Sequence, residues 1–264
     1  NKNFIDKNLP IGNNWYTHPY HILGKGFTNY KTATEYFKHN LIEFENAFGW
    51  GKDTKTFNVS PTRKFIKDKQ ILNSCIFITT FDRKNNNLKN IVKNLLCIAP
   101  QISHNLLKKF EKKIFCGTTF SSSWEQNPNF QNKIRLSNEL DGLGVPFANI
   151  YYKKDDIVRK TARVMMEELG KLYVNKNIGR VSIDEFLYNN MDYKTDGGGQ
   201  HHLGGTIMGS SNANSVVDVD LKLHSNKNLF VLGSSVYPSG GHANPTFTIV
   251  QLACRLADKI STEI

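Results

Sequence analysis

Residues 195–211 read TDGGGQHHLGGTIMGSS, and residues 228–250 read NLFVLGSSVYPSGGHANPTFTIV. In the first stretch His201 and His202 stand between Gly197-Gly198-Gly199 and Gly204-Gly205. Backbone without a Cβ can approach a ligand closely, which leaves an imidazole there open to a bound molecule. Two adjacent histidines point in different directions, and no carboxylate or cysteine sits at ligand spacing beside them, so no metal is expected. In the second stretch the pattern predicts a strand at Leu229–Leu232, a glycine-rich turn at Gly233-Ser234-Ser235 and a helix opened by Asn244-Pro245-Thr246. A helix N-terminus presents unpaired N–H groups and partial positive charge, which can stabilise an anion. The same unit also reads as a packing piece in which Asn244 caps the helix.

Working outward, the composition shifts at Asp196: glycines cluster from there to Gly241, and lysine is sparse until the end. The closing helix repeats apolar residues on one face through Ile249, Leu252, Ala253, Leu256 and Ile260. Upstream, the clearest helix starts near Asp155, with Val158, Ala162, Met165, Leu169 and Leu172 at helical spacing. A short helix is expected at Ser182–Tyr188 from a capping box of Ser182 with Glu185. Cys75–Thr80, Ile114–Phe120, Lys133–Ser137 and Phe147–Tyr152 read as strands of an antiparallel sheet, with a turn between the last two at Asp141-Gly142 and Gly144–Pro146. Thr32 and Glu35 have capping-box spacing ahead of Phe37, Leu41, Phe44 and Phe48, which predicts a first helix. Residues 1–30, rich in Gly, Asn and Pro, read as loop and turn.

The chain has 264 residues, 39% hydrophobic and 22% charged, which suits a globular protein with a sizeable core. Its formal charge of +11 comes from dispersed lysines that alternate with apolar residues, as on solvated faces. No nucleic-acid motif accompanies them. Cys75, Cys97, Cys116 and Cys254 form no C-x-x-C pair, so zinc is not expected and the four read as buried small hydrophobes. No run of about 18 apolar residues is present to span a membrane. The first residues hold neither an initiator Met nor the apolar stretch of a leader, so the chain is expected to begin within a longer protein. Localisation is not written in it; the cytoplasm is the default.

Together, the two quoted segments resemble the C-terminal signature of the glucose-methanol-choline (GMC) family of flavoprotein oxidoreductases. That signature runs H-x-x-G-T-x-x-M-G, S-V-V-D, N-L-y-V, G-S-s-v-f-P and N-P-t-x-T. Here stand His201, Gly204, Met208 and Gly209, then Ser215-Val216-Val217-Asp218 and Asn228-Leu229-Phe230-Val231. Gly233-Ser234-Ser235, Pro238 and Asn244-Pro245-Thr246 follow in order. PIGNNWYTHP at 10–19 resembles the family's V-G-x-N-L-x-D-H, departing from it at Tyr16-Thr17. Glu125-Gln126-Asn127-Pro128 and Arg135-Leu136-Ser137 resemble its E-Q-x-P and R-V-x-L-S.

The resemblance implies an α+β fold. An antiparallel-sheet substrate domain with helices would cover 31–195, flanked by 1–30 and 196–264. The flanks would complete a largely absent FAD-binding α/β domain, since no G-x-G-x-x-G follows a strand anywhere in the chain. It implies FAD as cofactor and oxidation of a small-molecule alcohol, sugar or polyol, the H-L-G-G-T wording being closer to sugar-oxidising members. A histidine would take the hydroxyl proton while hydride passes to flavin N5. Counting back from Met208 makes His201 that base; anchoring on Gly205-Thr206 gives His202. Asn244 would orient the same hydroxyl. Gly233 and Ser234 would approach the ribityl or pyrophosphate part of FAD, and Pro245 and Thr246 the isoalloxazine. His242 flanks the site without a role. His18 either borders the cavity or, in the preferred reading, is surface or structural. The missing FAD-binding region would be supplied in cis, as for a fragment of an ordinary enzyme, or in trans, as for a split one; a non-catalytic module keeping the fold is the alternative. Its absence predicts an exposed apolar patch around Leu229–Val231 and the final helix.

Overall fold

The computed structural model describes residues 5–37, 43–45, 54–81, 117–129, 131–189 and 201–263. The fold is α+β, with antiparallel sheets and a few helices. Two compact units divide the chain, one holding residues 20–124 and 159–197, the other 1–19, 125–158 and 198–264.

The first unit is built on a six-stranded antiparallel sheet. Its strands are β2 (Tyr20–Thr28), β3 (Glu43–Glu45), β4 (Thr54–Val59), β5 (Ser74–Phe81), β6 (Thr118–Trp124) and β9 (Gly179–Ile183), in the order β3-β4-β5-β6-β2-β9. The helices are α1 (Tyr30–Phe37), α2 (Arg63–Lys69) and α3 (Asp156–Asn175), most of α3 falling in this unit. Ala162, Met165, Met166, Leu169 and Tyr173 form the buried stripe of α3, as its periodicity requires. Tyr173 meets Phe120 of β6 edge to face and shares a hydrogen bond with Thr28 of β2.

Several local expectations change. Residues 13–17 and 20–28 form strands rather than loop. The glycines of β2 mark close backbone approach: a Cβ on Gly24 or Gly26 would collide with the Ser182 or Arg180 carbonyl of β9. Asn29, not Thr32, caps α1; its side chain accepts from Thr32 N at 3.3 Å. Phe44 lies in β3, while Leu41 and Phe48 fall outside the described residues, as do Cys97, Cys116 and the composition boundary at Asp196. Ser182 lies in β9, and the turn that follows, Glu185–Leu187, is capped by Asp184, whose carboxylate accepts from Phe186 N.

The second unit carries a four-stranded antiparallel sheet in the order β10-β1-β7-β8. These are β10 (His202–Gly205), β1 (Asn13–Thr17), β7 (Lys133–Leu140) and β8 (Pro146–Tyr151). The three upstream motifs of the sequence converge here. Gly12 O accepts from Ile134 N at 2.8 Å, Arg135 donates to the Ile11 carbonyl at 3.0 Å, and the Gln126 side chain accepts from Thr17 N at 3.1 Å. Between Asn13 and Tyr16 the pairing of β1 with β10 shifts register, and Asn14 takes a left-handed φ of 54°. This bulge bends the strand and re-aims the side chains that follow it.

Beneath the sheet lies a core of Leu9, Tyr16, Leu203, Val216, Val217, Leu221, Leu223, Val236, Tyr237 and Leu256. The motif residues Val216 and Val217 belong to that core, and Asp218 closes a turn by accepting from Asp220 N and Lys222 N. Leu229–Leu232 is not a regular strand: only Phe230 bridges, to Lys222. Leu229, Phe230 and Val231 pack against the unit's own core together with Ile249, Leu252 and Ile260 of the closing helix α4 (Thr246–Glu263). The patch expected at Leu229–Val231 is therefore largely covered from within. The exposed apolar residues of α4 are Phe247 at 72% and Val250 at 54%, with exposed Cys254 extending the same stripe.

Candidate active site

His201 precedes β10, and His202 is its first residue. Antiparallel pairing sets Thr17 opposite His202 and Tyr16 opposite Leu203, which delivers His18, next along the chain, to His201. The two imidazoles meet at right angles with their Nδ1 atoms 3.3 Å apart. His18 is 1% exposed and His201 half-buried. Burial lowers both pKa values from the ordinary histidine 6.5, that of His18 to about 4, where the neighbouring His201 adds to the effect. Both rings are thus neutral near pH 7. His242, also lowered by burial, faces His18 electrostatically.

His202 is arranged differently. Its ring stacks on Trp15, with centroids 5.4 Å apart, and remains exposed. Its carbonyl accepts from Ser234 Oγ at 2.7 Å. Thr206 ties the same turn down, its N–H donating to Ser235 O and its hydroxyl to Ser235 Oγ. The glycine turn is thereby fastened alongside the histidine strand. Gly233 within it has φ 139°, with open space where a Cβ would stand. A left-handed φ with no neighbour on the Cβ side leaves this backbone exposed to a ligand.

The start of α4 is held from below. Tyr16 donates to the Tyr237 carbonyl at 3.1 Å, and Tyr237 donates to the Pro245 carbonyl at 2.9 Å. The Pro245 carbonyl also accepts from Ile249 N, so Pro245 occupies the cap position and the helix opens at Thr246, one residue later than expected. Asn244 is exposed and does not cap it. The amides of Thr246, Phe247 and Thr248 consequently lack helical partners. No hydrogen bond joins His201 to Asn244; the group that His201 meets is His18. His18 is the residue whose place the sequence reading missed. Its motif was visible, but its pairing joins residues 183 positions apart. Glu125, from another of the motifs, accepts from Gly241 N and borders the same loop. Among the described residues no group of three His, Cys, Asp or Glu could hold a metal ion. Nor is any described helix long and apolar enough to cross a membrane.

Fold and site thus define an α+β chain whose C-terminal segment presents histidines, a glycine turn and a helix start on one framework. Residues 128–253, just under half of the chain, match the family model described as GMC oxidoreductase, and over that stretch the chain is similar to the GMC oxidoreductases. It is 28% identical over 164 residues to the fructose dehydrogenase large subunit of Gluconobacter japonicus, covering 62% of this chain and 28% of that one. It is 30% identical over 139 residues to paromamine 6'-oxidase of Streptomyces fradiae, covering 52% and 24% respectively. The matched part thus spans about a quarter of the length of these curated relatives. A solved structure of Aspergillus oryzae RIB40 formate oxidase shares the fold at a TM-score of 0.51 and 12% identity, over 96% of this chain and 48% of that one.

Proposed function

We propose that this chain supplies the catalytic histidine segment of an FAD-dependent oxidoreductase that oxidises a CH–OH group of a sugar or polyol. The observation that carries the reading is His201, half-buried and with its pKa lowered, whose Nδ1 is engaged by His18, so that Nε2 is the nitrogen available to a substrate. A neutral imidazole can take the hydroxyl proton and then hold it. Asn244, exposed ahead of α4, orients the same hydroxyl. The residues here fit FAD. The open left-handed turn at Gly233, with Ser234 beside it, suits close passage of the cofactor's chain, and the unpaired amides from Thr246 onward suit a developing anion. Pro245 and Thr246 border the ring. When bound, FAD is the acceptor of the substrate's hydride.

FAD is held jointly with an FAD-binding region supplied in cis or in trans, and the exposed stripe of Phe247, Val250 and Cys254 on α4 suits contact with it. The sugar class is supported by relatives named for fructose, paromamine and C-glycosides. The test is anaerobic flavin reduction in the FAD-loaded enzyme with a panel of sugars and polyols. His201→Ala should slow flavin reduction by about 10²-fold or more, as loss of a general base does, whereas His202→Ala should cost less. A larger loss at His202, or no loss at either, overturns the assignment.

A further inference from the structure

The pairing of His18 with His201 carries a consequence for which nitrogen holds the proton. Two neutral imidazoles facing each other through Nδ1 form a hydrogen bond only if one Nδ1 carries a hydrogen and the other a lone pair. What lies against the other nitrogen of His18 decides which. His18 Nε2 is sealed from solvent and makes no hydrogen bond of regular geometry. It lies against Gly240, and the Gly240 backbone favours a proton on this ring. A Cβ on Gly240 would stand 3.1 Å from that nitrogen, so glycine is what allows the approach. With the proton on Nε2, His18 presents the Nδ1 lone pair to His201. A doubly protonated His18 is excluded near neutrality, because burial and the neighbouring histidines hold its pKa near 4.

We propose that His18 is a positioning residue: by accepting a hydrogen bond from His201 Nδ1–H, it fixes His201 in the tautomer whose Nε2 bears the lone pair. The inference rests on the reading of His201 as the base, and gives that base its direction. A free neutral histidine favours hydrogen on Nε2, the wrong tautomer for a base that acts through Nε2. Here the strand pairing of β1 with β10, and the bulge at Asn14, bring the correcting acceptor into place. His201, His242 and the Gly240 backbone face His18; none of these three is a carboxylate, so they select the tautomer without stabilising an imidazolium.

The test reads the tautomer directly, with no need for FAD or turnover. In the uniformly ¹⁵N-labelled chain above neutral pH, long-range proton–nitrogen correlations distinguish the two tautomers of each imidazole. Signals of His201 and His18 are assigned by their loss in His201→Gln and His18→Asn. The expected pattern is Nδ1–H for His201 and Nε2–H for His18. Nε2–H on His201 overturns the proposal. His18→Asn places an amide oxygen where Nδ1 stood and should keep the His201 pattern; His18→Leu removes the acceptor and should shift His201 toward Nε2–H. An unchanged pattern in His18→Leu also overturns it. Should His18→Leu not fold, the parent chain and His18→Asn still decide. Failure of the functional reading looks different: the tautomers stand as described, yet His201→Ala leaves flavin reduction unaffected.

Discussion

Tyr16 and Tyr237 are joined by a buried hydrogen bond, the Tyr16 hydroxyl donating to the Tyr237 carbonyl at 3.1 Å. The Tyr237 hydroxyl in turn donates to Pro245 O, so β1 and the start of α4 are held through one pair of side chains. Burial raises the pKa of both phenols, and each remains a neutral donor. Removing either hydroxyl with Phe should cost about 1–2 kcal/mol, the price of a buried hydrogen bond whose acceptor is left behind. Urea denaturation of Tyr16→Phe, Tyr237→Phe and the double variant checks this. A change within ±0.3 kcal/mol in both singles would show that the tie does not hold the helix start.

Gly204 and Gly233 both have left-handed φ, 73° and 139°, but their surroundings differ. A Cβ at Gly204 would run into the Asn14 carbonyl and the Tyr16 ring, while at Gly233 it meets nothing. Gly204→Ala should therefore destabilise by about 3 kcal/mol or more, through strain plus collision, and Gly233→Ala by about 1–2 kcal/mol, through strain alone. Thermal and urea unfolding of the pair reads the difference. Equal losses would mean that the bulge yields to accommodate the methyl group.

His18 makes stability depend on pH. Its folded pKa is about 4 against 6.5 for an ordinary histidine, so the unfolded chain binds the proton more tightly. The stabilisation is complete above 6.5 and is lost as pH falls from there toward about 4. Over that window the shift corresponds to about 3 kcal/mol, an upper figure. His201 and His242, also lowered, act in the same direction. Denaturation midpoints measured across this range should fall steeply in the parent and less so in His18→Gln. Parallel curves would contradict the buried neutral state of His18.

On the proposed role of His201 as base, its own lowered pKa sets the pH profile of flavin reduction. A base must be neutral to act, and His201 protonates below 6.5 because burial and His202 disfavour its charge. In the FAD-loaded enzyme the rate constant for flavin reduction should therefore remain above half its plateau at pH 6.5, and fall only at lower pH. A midpoint above 6.5 would mean that the charged form is stabilised instead.

Phe247 is 72% exposed on α4. Phe247→Lys should change stability by no more than about 0.5 kcal/mol while reducing self-association of the chain, because it breaks the stripe formed with Val250 and Cys254. Denaturation and light scattering on the same samples separate the two effects.

Where a residue's role follows from its neighbours in sequence, the sequence displayed it. The buried stripe of α3 repeats every three or four positions, and His201 and His202 stand out among glycines. The strand at 20–28 was hidden because Gly24 and Gly26 look like turn residues until β9 is laid against them. Leu229–Leu232 has strand composition, yet its surroundings supply a single bridge and a helix face. His18 is the instructive case. It stands in a legible motif and reads as a surface or structural histidine; its partner, His201, lies 183 positions away across the pairing of β1 with β10.

That pairing has a bearing on how the protein is made. Residues 13–17 leave the ribosome well before the strand that covers one side of them, His202–Gly205, and before the tyrosine that anchors Tyr16. Until those have emerged β1 keeps an open edge, and a pairing that joins residues 183 positions apart is slow to form and open to mispairing. The histidine pair therefore comes into being only after both strands have been made and joined.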